Sequence, residues 1–218
     1  MRIPTRLLPA LSALVLAACA SPGANPPAGA PVASAPDGLR ALATPLAGSR
    51  TAEGGFIDAF AYAEKPGDVT LGRMTVGGGA AHATGQIEPR RGSSWGGIGL
   101  TTSVARSTHT VDISAARALV IALAANGADT LRVRLVGANA ATRDSGCYPV
   151  AIVHVTPELR DYTVPVASFA PETFCPPNAP GGAATASALA AVEVADATVV
   201  QGRKREVDFT VGPIRVTP

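Results

Sequence analysis

The stretch ARALVIALAANGADTLRVRL, residues 116–135, supports two conflicting readings of its first half. Rich in Ala and Leu, that half is a helix by propensity alone. The second half, LRVRL at 131–135, puts Leu131, Val133 and Leu135 on one face and Arg132 and Arg134 on the other, the period of a half-buried strand. Three features make residues 117–125 a strand as well. Leu119, Ile121 and Leu123 alternate with smaller residues, the run is short, and Asn126-Gly127 is a hairpin-type turn.

The same period recurs downstream. REVDFTV sets Val207, Phe209 and Val211 against Glu206, Asp208 and Thr210, and DYTVPV aligns Tyr162, Val164 and Val166. Gly and Pro clusters separate the runs, among them Gly77-Gly78-Gly79, Gly96-Gly97, Pro176-Pro177 and Gly181-Gly182. About nine to eleven short strands with frequent turn signals predict an all-β sandwich over residues 50–218. TPELR at 156–160 is expected to form a single helical turn, with Thr156 as cap and Pro157 in the first position.

The front of the chain reads differently. Arg2 and Arg6 precede an apolar run from Leu7 to Ala18, too short for the about 20 residues of a membrane-spanning helix. A charged start, a short apolar run and a small-residue end form a secretory signal over 1–18. Its end, Leu16-Ala17-Ala18-Cys19, resembles the bacterial lipoprotein signal. That resemblance implies cleavage before Cys19 and acylation of its thiol, palmitate included. Two or more acyl chains hold a protein stably at a membrane. Ala20 stands where an Asp would favour inner-membrane retention, so the expected place is the cell envelope, at the outer membrane of a Gram-negative host. Residues 19–49, dominated by Ala, Pro, Gly and Ser, are expected to be an unfolded tether.

The 18 basic residues less Arg2 and Arg6 match the 16 acidic ones, so the exported chain has no basic field for nucleic acid. Cys147 and Cys175 remain as a pair. Either they form a disulfide, which an oxidising compartment preserves and whose loop closure stabilises by about 3–4 kcal/mol, or they are buried free thiols. No CxxC or HxxxH spacing marks a metal pair, and His82, His109 and His154 are scattered.

The order of pieces carries a family likeness. GGFIDAF is followed by AAHATGQI, WGGIGL, VDISAARALVIALAANG, LRVRLVG, the cysteine pair, DYTVPVASF and VDFTVGPIRV. This order is similar to the galactose-binding-like jelly roll of family-eleven carbohydrate-binding modules and of the complex I intermediate-associated domain. The resemblance implies a concave sheet that binds a polysaccharide strand, a core position for His82, and a structural calcium with Asp58 as the opening acid. The chain departs from the pattern at Ala59, and at Gly212-Pro213, where the family carries an Asp.

Sugar recognition needs flat apolar rings and planar hydrogen-bonding groups. Arg132 and Arg134 offer two forks if their face is a groove, including a grip on the carboxylates of a uronate-bearing glycan. Trp95 is either a sugar platform or a packing residue. Asp144 and Tyr148 lie in TRDSGCYP, a polar loop beside Cys147. His154, on the strand AIVHV, is either a structural residue or a further contact. Catalysis is not expected: nothing pairs two carboxylates, and neither a GxSxG elbow nor a phosphate-cradling loop is present. The reading is a non-catalytic glycan-binding lipoprotein. The alternative is a structural or assembly lipoprotein that holds an envelope protein on the same sandwich, and the small supply of aromatic residues favours it.

Overall fold

Leu119, Ile121 and Leu123 are fully buried, and the Ala- and Leu-rich segment is a strand, β8 below. The structure, a computed structural model, describes residues 38–90, 92–106 and 109–218, without the side chains of Ala140, Ala141 and Asp144. The signal segment, Cys19 and the tether up to residue 37 lie outside the described residues.

In chain order the strands are β1 (Arg40–Ala43), β2 (Pro45–Leu46), β3 (Arg50–Thr51), β4 (Ile57–Ala63), β5 (Val69–Gly77), β6 (Ala80–Ile87) and β7 (Gly96–Ser103). After them come β8 (Ala118–Ala125), β9 (Thr130–Gly137), β10 (Val150–His154), β11 (Arg160–Pro165), β12 (Leu189–Asp196) and β13 (Arg205–Val216). Two short helices, α1 (Ala140–Ser145) and α2 (Gly182–Ala186), and a 3-10 turn at Val166–Ser168 complete the described elements. One sheet runs β11-β8-β13-β6-β5, with β1 also on β13, and the other runs β10-β9-β12-β7-β4. Most connections cross from one sheet to the other, which is jelly-roll topology. Leu131, Val133 and Leu135 of one sheet and Leu119, Ile121 and Ile214 of the other meet in a common core at 0 % exposure.

Several expectations change. Asn126-Gly127 is a turn, with Gly127 at φ +78°, but it closes no hairpin. Both edges of β8 are occupied by β11 and β13, so the chain must pass to the opposite sheet, where β9 pairs with β10 and β12. TPELR forms a bend, not a helical turn. The Thr156 amide donates to the Tyr162 hydroxyl (3.0 Å) and its carbonyl accepts from the Ala125 amide (3.0 Å), which holds the segment open between strands. Part of TRDSGCYP is the helix α1 rather than loop. His82 does not enter the core: Ala81 and Ala83 take the inward positions, and His82 Nε2 lies 2.8 Å from Asp208 Oδ1 on the outer face.

The fold also begins before residue 50. Arg40–Ala43 pairs antiparallel with the end of β13, and Leu42 and Ala43 join the core. Room for β1 arises at Gly212-Pro213. There β13 shifts register against β8, and Pro213 has no amide to donate to a ladder. Beyond that point β13 exchanges β6 for β1 as its neighbour. The crossing from β12 to β13 is tied by Asp196, fully buried, which accepts both terminal nitrogens of Arg205 at 2.6 and 2.7 Å.

Two stability measurements follow from this architecture. Leu42→Ala is expected to lower the unfolding free energy of the full chain by about 2–4 kcal/mol in denaturant titration, the range for a buried Leu. Arg205→Met leaves Asp196 buried without its partner, so a loss of about 3–5 kcal/mol is expected in the same assay.

Candidate functional site

Strand register builds the outer face of the five-stranded sheet row by row. Across one row lie Val150, Arg134, Glu193, Thr101 and Asp58. The next row holds Ile152, Arg132, Ala195, Gly99 and Phe60. Beyond it Tyr62 stands opposite Gly97, and His154 opposite Thr130. All point away from the core because Leu131, Val133 and Leu135 point into it.

Gly97 and Gly99 let two aromatic rings lie down on this face. A Cβ at Gly99 would come within 2.3 Å of the Phe60 ring, and one at Gly97 within 2.5 Å of the Tyr62 hydroxyl. Phe60 and Tyr62 stack with centroids 6.1 Å apart and planes at 21°. Trp95, just before β7, extends the row, 6.4 Å from Tyr62 at 25°, and is 51 % exposed. Its loop is fastened from three sides. Buried Asp68 accepts from the Arg90 amide (3.2 Å) and the Ser93 hydroxyl, and Gln201 donates to the Ser93 carbonyl. Glu64 accepts from the Ser94 amide at 2.6 Å, and that bond holds its carboxyl below the usual range.

Beside the rings the two arginines converge on one carboxylate. Arg132 Nη1 donates to Glu172 Oε1 at 3.0 Å, and Arg134 Nη2 lies 3.9 Å from Glu172 Oε2. Arg134 Nη1 donates to Glu193 at 3.2 Å. The Arg132 guanidinium sits 5.4 Å from the Tyr62 ring centre and donates to its hydroxyl, leaving that O–H to donate in turn. Burial raises the Tyr62 pKa, against the opposing pull of Arg132 and Arg134, so the phenol stays neutral near pH 7. Glu172 and Phe174 do not belong to the sheet. They ride on an arm joined at one end to β10 by the Ala170–Val150 bridge and at the other by the Cys147–Cys175 disulfide, Cα atoms 5.6 Å apart. Tyr62, Trp95, Arg132, Arg134, Glu172 and Phe174 together line a recess of about 610 Å³.

Of the residues expected from sequence, Arg132, Arg134 and Trp95 thus come together. The forks are not open, however: each arginine already holds a carboxylate, and two Arg balance two Glu. Tyr148 is buried, with its ring 5.9 Å under the Arg134 guanidinium, so it supports that residue rather than facing outward. His154 shares the outer face but lies outside the recess. The Asp144 side chain is outside the described ones, on α1. Exposed Asp58 accepts from the Ala59 amide at 2.9 Å. Among the described residues no group of three or more His, Cys, Asp or Glu is placed to hold a metal.

Phe60, Tyr62, Glu172, Glu193 and Phe174 are the site residues that sequence reasoning missed. Asp58, Phe60 and Tyr62 do alternate in IDAFAYA, and Gly97 and Gly99 alternate in GGIGL. Those two periods were the available signal for rings lying over glycines.

No protein-family model matches the chain, and no curated protein matches it. Solved structures do. The family 11 carbohydrate-binding module of the cellulosomal cellulase Lic26A-Cel5E of Clostridium thermocellum superposes with a TM-score of 0.52 at 13 % identity, covering 83 % of this chain and 94 % of that one. A family 11 module from Clostridium thermocellum in complex with a β-1,3-1,4-mixed-linked tetrasaccharide gives 0.48 at 12 % identity, with 73 % and 88 % covered. The family 30 module of the Clostridium thermocellum cellulase Cel9D-Cel44B gives 0.42 at 12 %, with 82 % and 93 % covered. In fold, the chain is a jelly-roll β-sandwich similar to that of the family 11 carbohydrate-binding module.

Proposed function

We propose that this domain is a non-catalytic module that binds a neutral polysaccharide strand on the outer face of its five-stranded sheet. The observation that carries the reading is the stacked row Phe60, Tyr62 and Trp95 beside planar hydrogen-bonding groups. Pyranose faces are flat and apolar and match such rings, while Arg132, Glu172 and the Tyr62 hydroxyl match their hydroxyls. Two arginines balanced by two glutamates favour an uncharged polymer over the uronate-bearing one that bare forks would suit. A fold shared with a structure described as a carbohydrate-binding module supports the same reading. Acylation at Cys19 would tether the module to a bacterial envelope, with the outer membrane as its place. A second reading, an envelope protein held on this face, draws support from Ile152 and Phe174, 59 % and 70 % exposed at its margin.

Affinity electrophoresis of the full chain through gels containing neutral soluble polysaccharides tests the first reading. Retardation is expected with at least one polymer. Trp95→Ala is expected to weaken it about tenfold or more, the scale of losing an aromatic anchor. Retardation that survives Trp95→Ala moves the site. No retardation with any polymer turns the reading towards the protein partner, to be sought by crosslinking in the intact envelope.

A further inference from the structure

We propose that Glu172 is a charge filter that excludes anionic polymers from this face; the inference rests on the glycan-binding reading and adds a specificity residue to it. The strand repeat sets Arg132 and Arg134 on the same side of β9, and both turn their terminal nitrogens to the two oxygens of Glu172. A guanidinium donates to the oxygens of a carboxylate or sulfate by preference. Glu172 therefore occupies the position that the charged group of a uronate or sulfated sugar would take. Glu193 cannot serve alone, because it bonds Arg134 and leaves Arg132 without a carboxylate.

The origin of the two acids also differs. Glu193 is part of β12, built into the sheet. Glu172 is delivered by the arm, and its position depends on the Ala170–Val150 bridge and the Cys147–Cys175 disulfide. The Cys175 amide donates back to the Glu172 carbonyl at 2.9 Å, a tight turn that couples the disulfide to the filter. Without the Glu172 charge, Arg132, Arg134 and Glu193 leave one uncompensated positive charge beside the rings. Recognition of the polymer by stacking is unaffected by that change, and recognition by charge becomes available.

Trp95 is the single tryptophan of the chain and lines the recess, so its emission reports occupancy directly. The probe is polygalacturonate, titrated at low salt into the full chain, into Glu172→Gln and into Glu158→Gln, a control at an exposed position outside the recess. Glu172→Gln alone is expected to gain at least about tenfold in apparent affinity, the scale of one charge-assisted hydrogen bond. Raising salt to about 0.15 M, where the Debye length is about 8 Å, should diminish the gain. As a second route, reduction of the disulfide in the unmutated chain should release the arm and produce the same gain while circular dichroism remains that of a β-protein.

A folded Glu172→Gln that gains nothing overturns the filter, as does an unmutated chain that binds polygalacturonate equally well. If Glu172→Gln fails to fold, the reduced chain decides in its place: a gain supports the filter and no gain overturns it. Binding of neutral polymer is scored separately. A gain by Glu172→Gln in a chain that binds no neutral polymer keeps the filter and rejects a neutral polymer as the ligand, and the reverse result keeps the neutral polymer and rejects the filter.

Discussion

A β-strand has two faces, and burying one commits the other. In β9 the commitment is complete: Leu131, Val133 and Leu135 are at 0 % exposure, so Arg132 and Arg134 have nowhere to go but outward. A slip of one residue would bury both guanidiniums and expose three core side chains. The register with β12, β7 and β4 carries this constraint across the sheet. It brings Glu193 beside Arg134 and places Gly97 and Gly99 under the rings of β4.

What was legible in the sequence follows from the same constraint. Alternation identified β9, β11 and β13, because burial of one face leaves a period of two in the residues themselves, whereas β8, buried on both faces, showed only large residues alternating mostly with smaller ones. Sheet membership left no such mark. Asn126-Gly127 is as good a turn between two sheets as within one, and only the occupied edges of β8 decide the matter. Residues 40–43 were hidden by their surroundings: RALA is weakly patterned, and its partner lies at the far end of the chain. Gly212-Pro213, an interruption in the sequence pattern, is the point at which that partner becomes accessible.

The site divides similarly. Arg132 and Arg134 were visible as the polar half of an alternating strand, and Trp95 as a ring among glycines. Phe60 and Tyr62 alternate visibly, yet their importance depends on lying over Gly99 and Gly97, a cross-strand relation that requires the register. Glu172 and Phe174 had no periodicity at all. Their arm has no regular structure, and the disulfide and a single bridge position it. Calcium at Asp58 was an inference from likeness alone, with no acidic cluster beside Asp58 in the sequence.

The fastening of Trp95 has a kinetic consequence. With its loop bonded to Asp68, Glu64 and Gln201, the backbone that carries the indole is already set when a partner arrives. Its ordering entropy is lost during folding rather than at encounter. Association of the proposed ligand on this face would then be governed by orientation, in the range of about 10⁵–10⁷ M⁻¹ s⁻¹ typical of such encounters. Differences among such ligands would accordingly reside in how long each one stays.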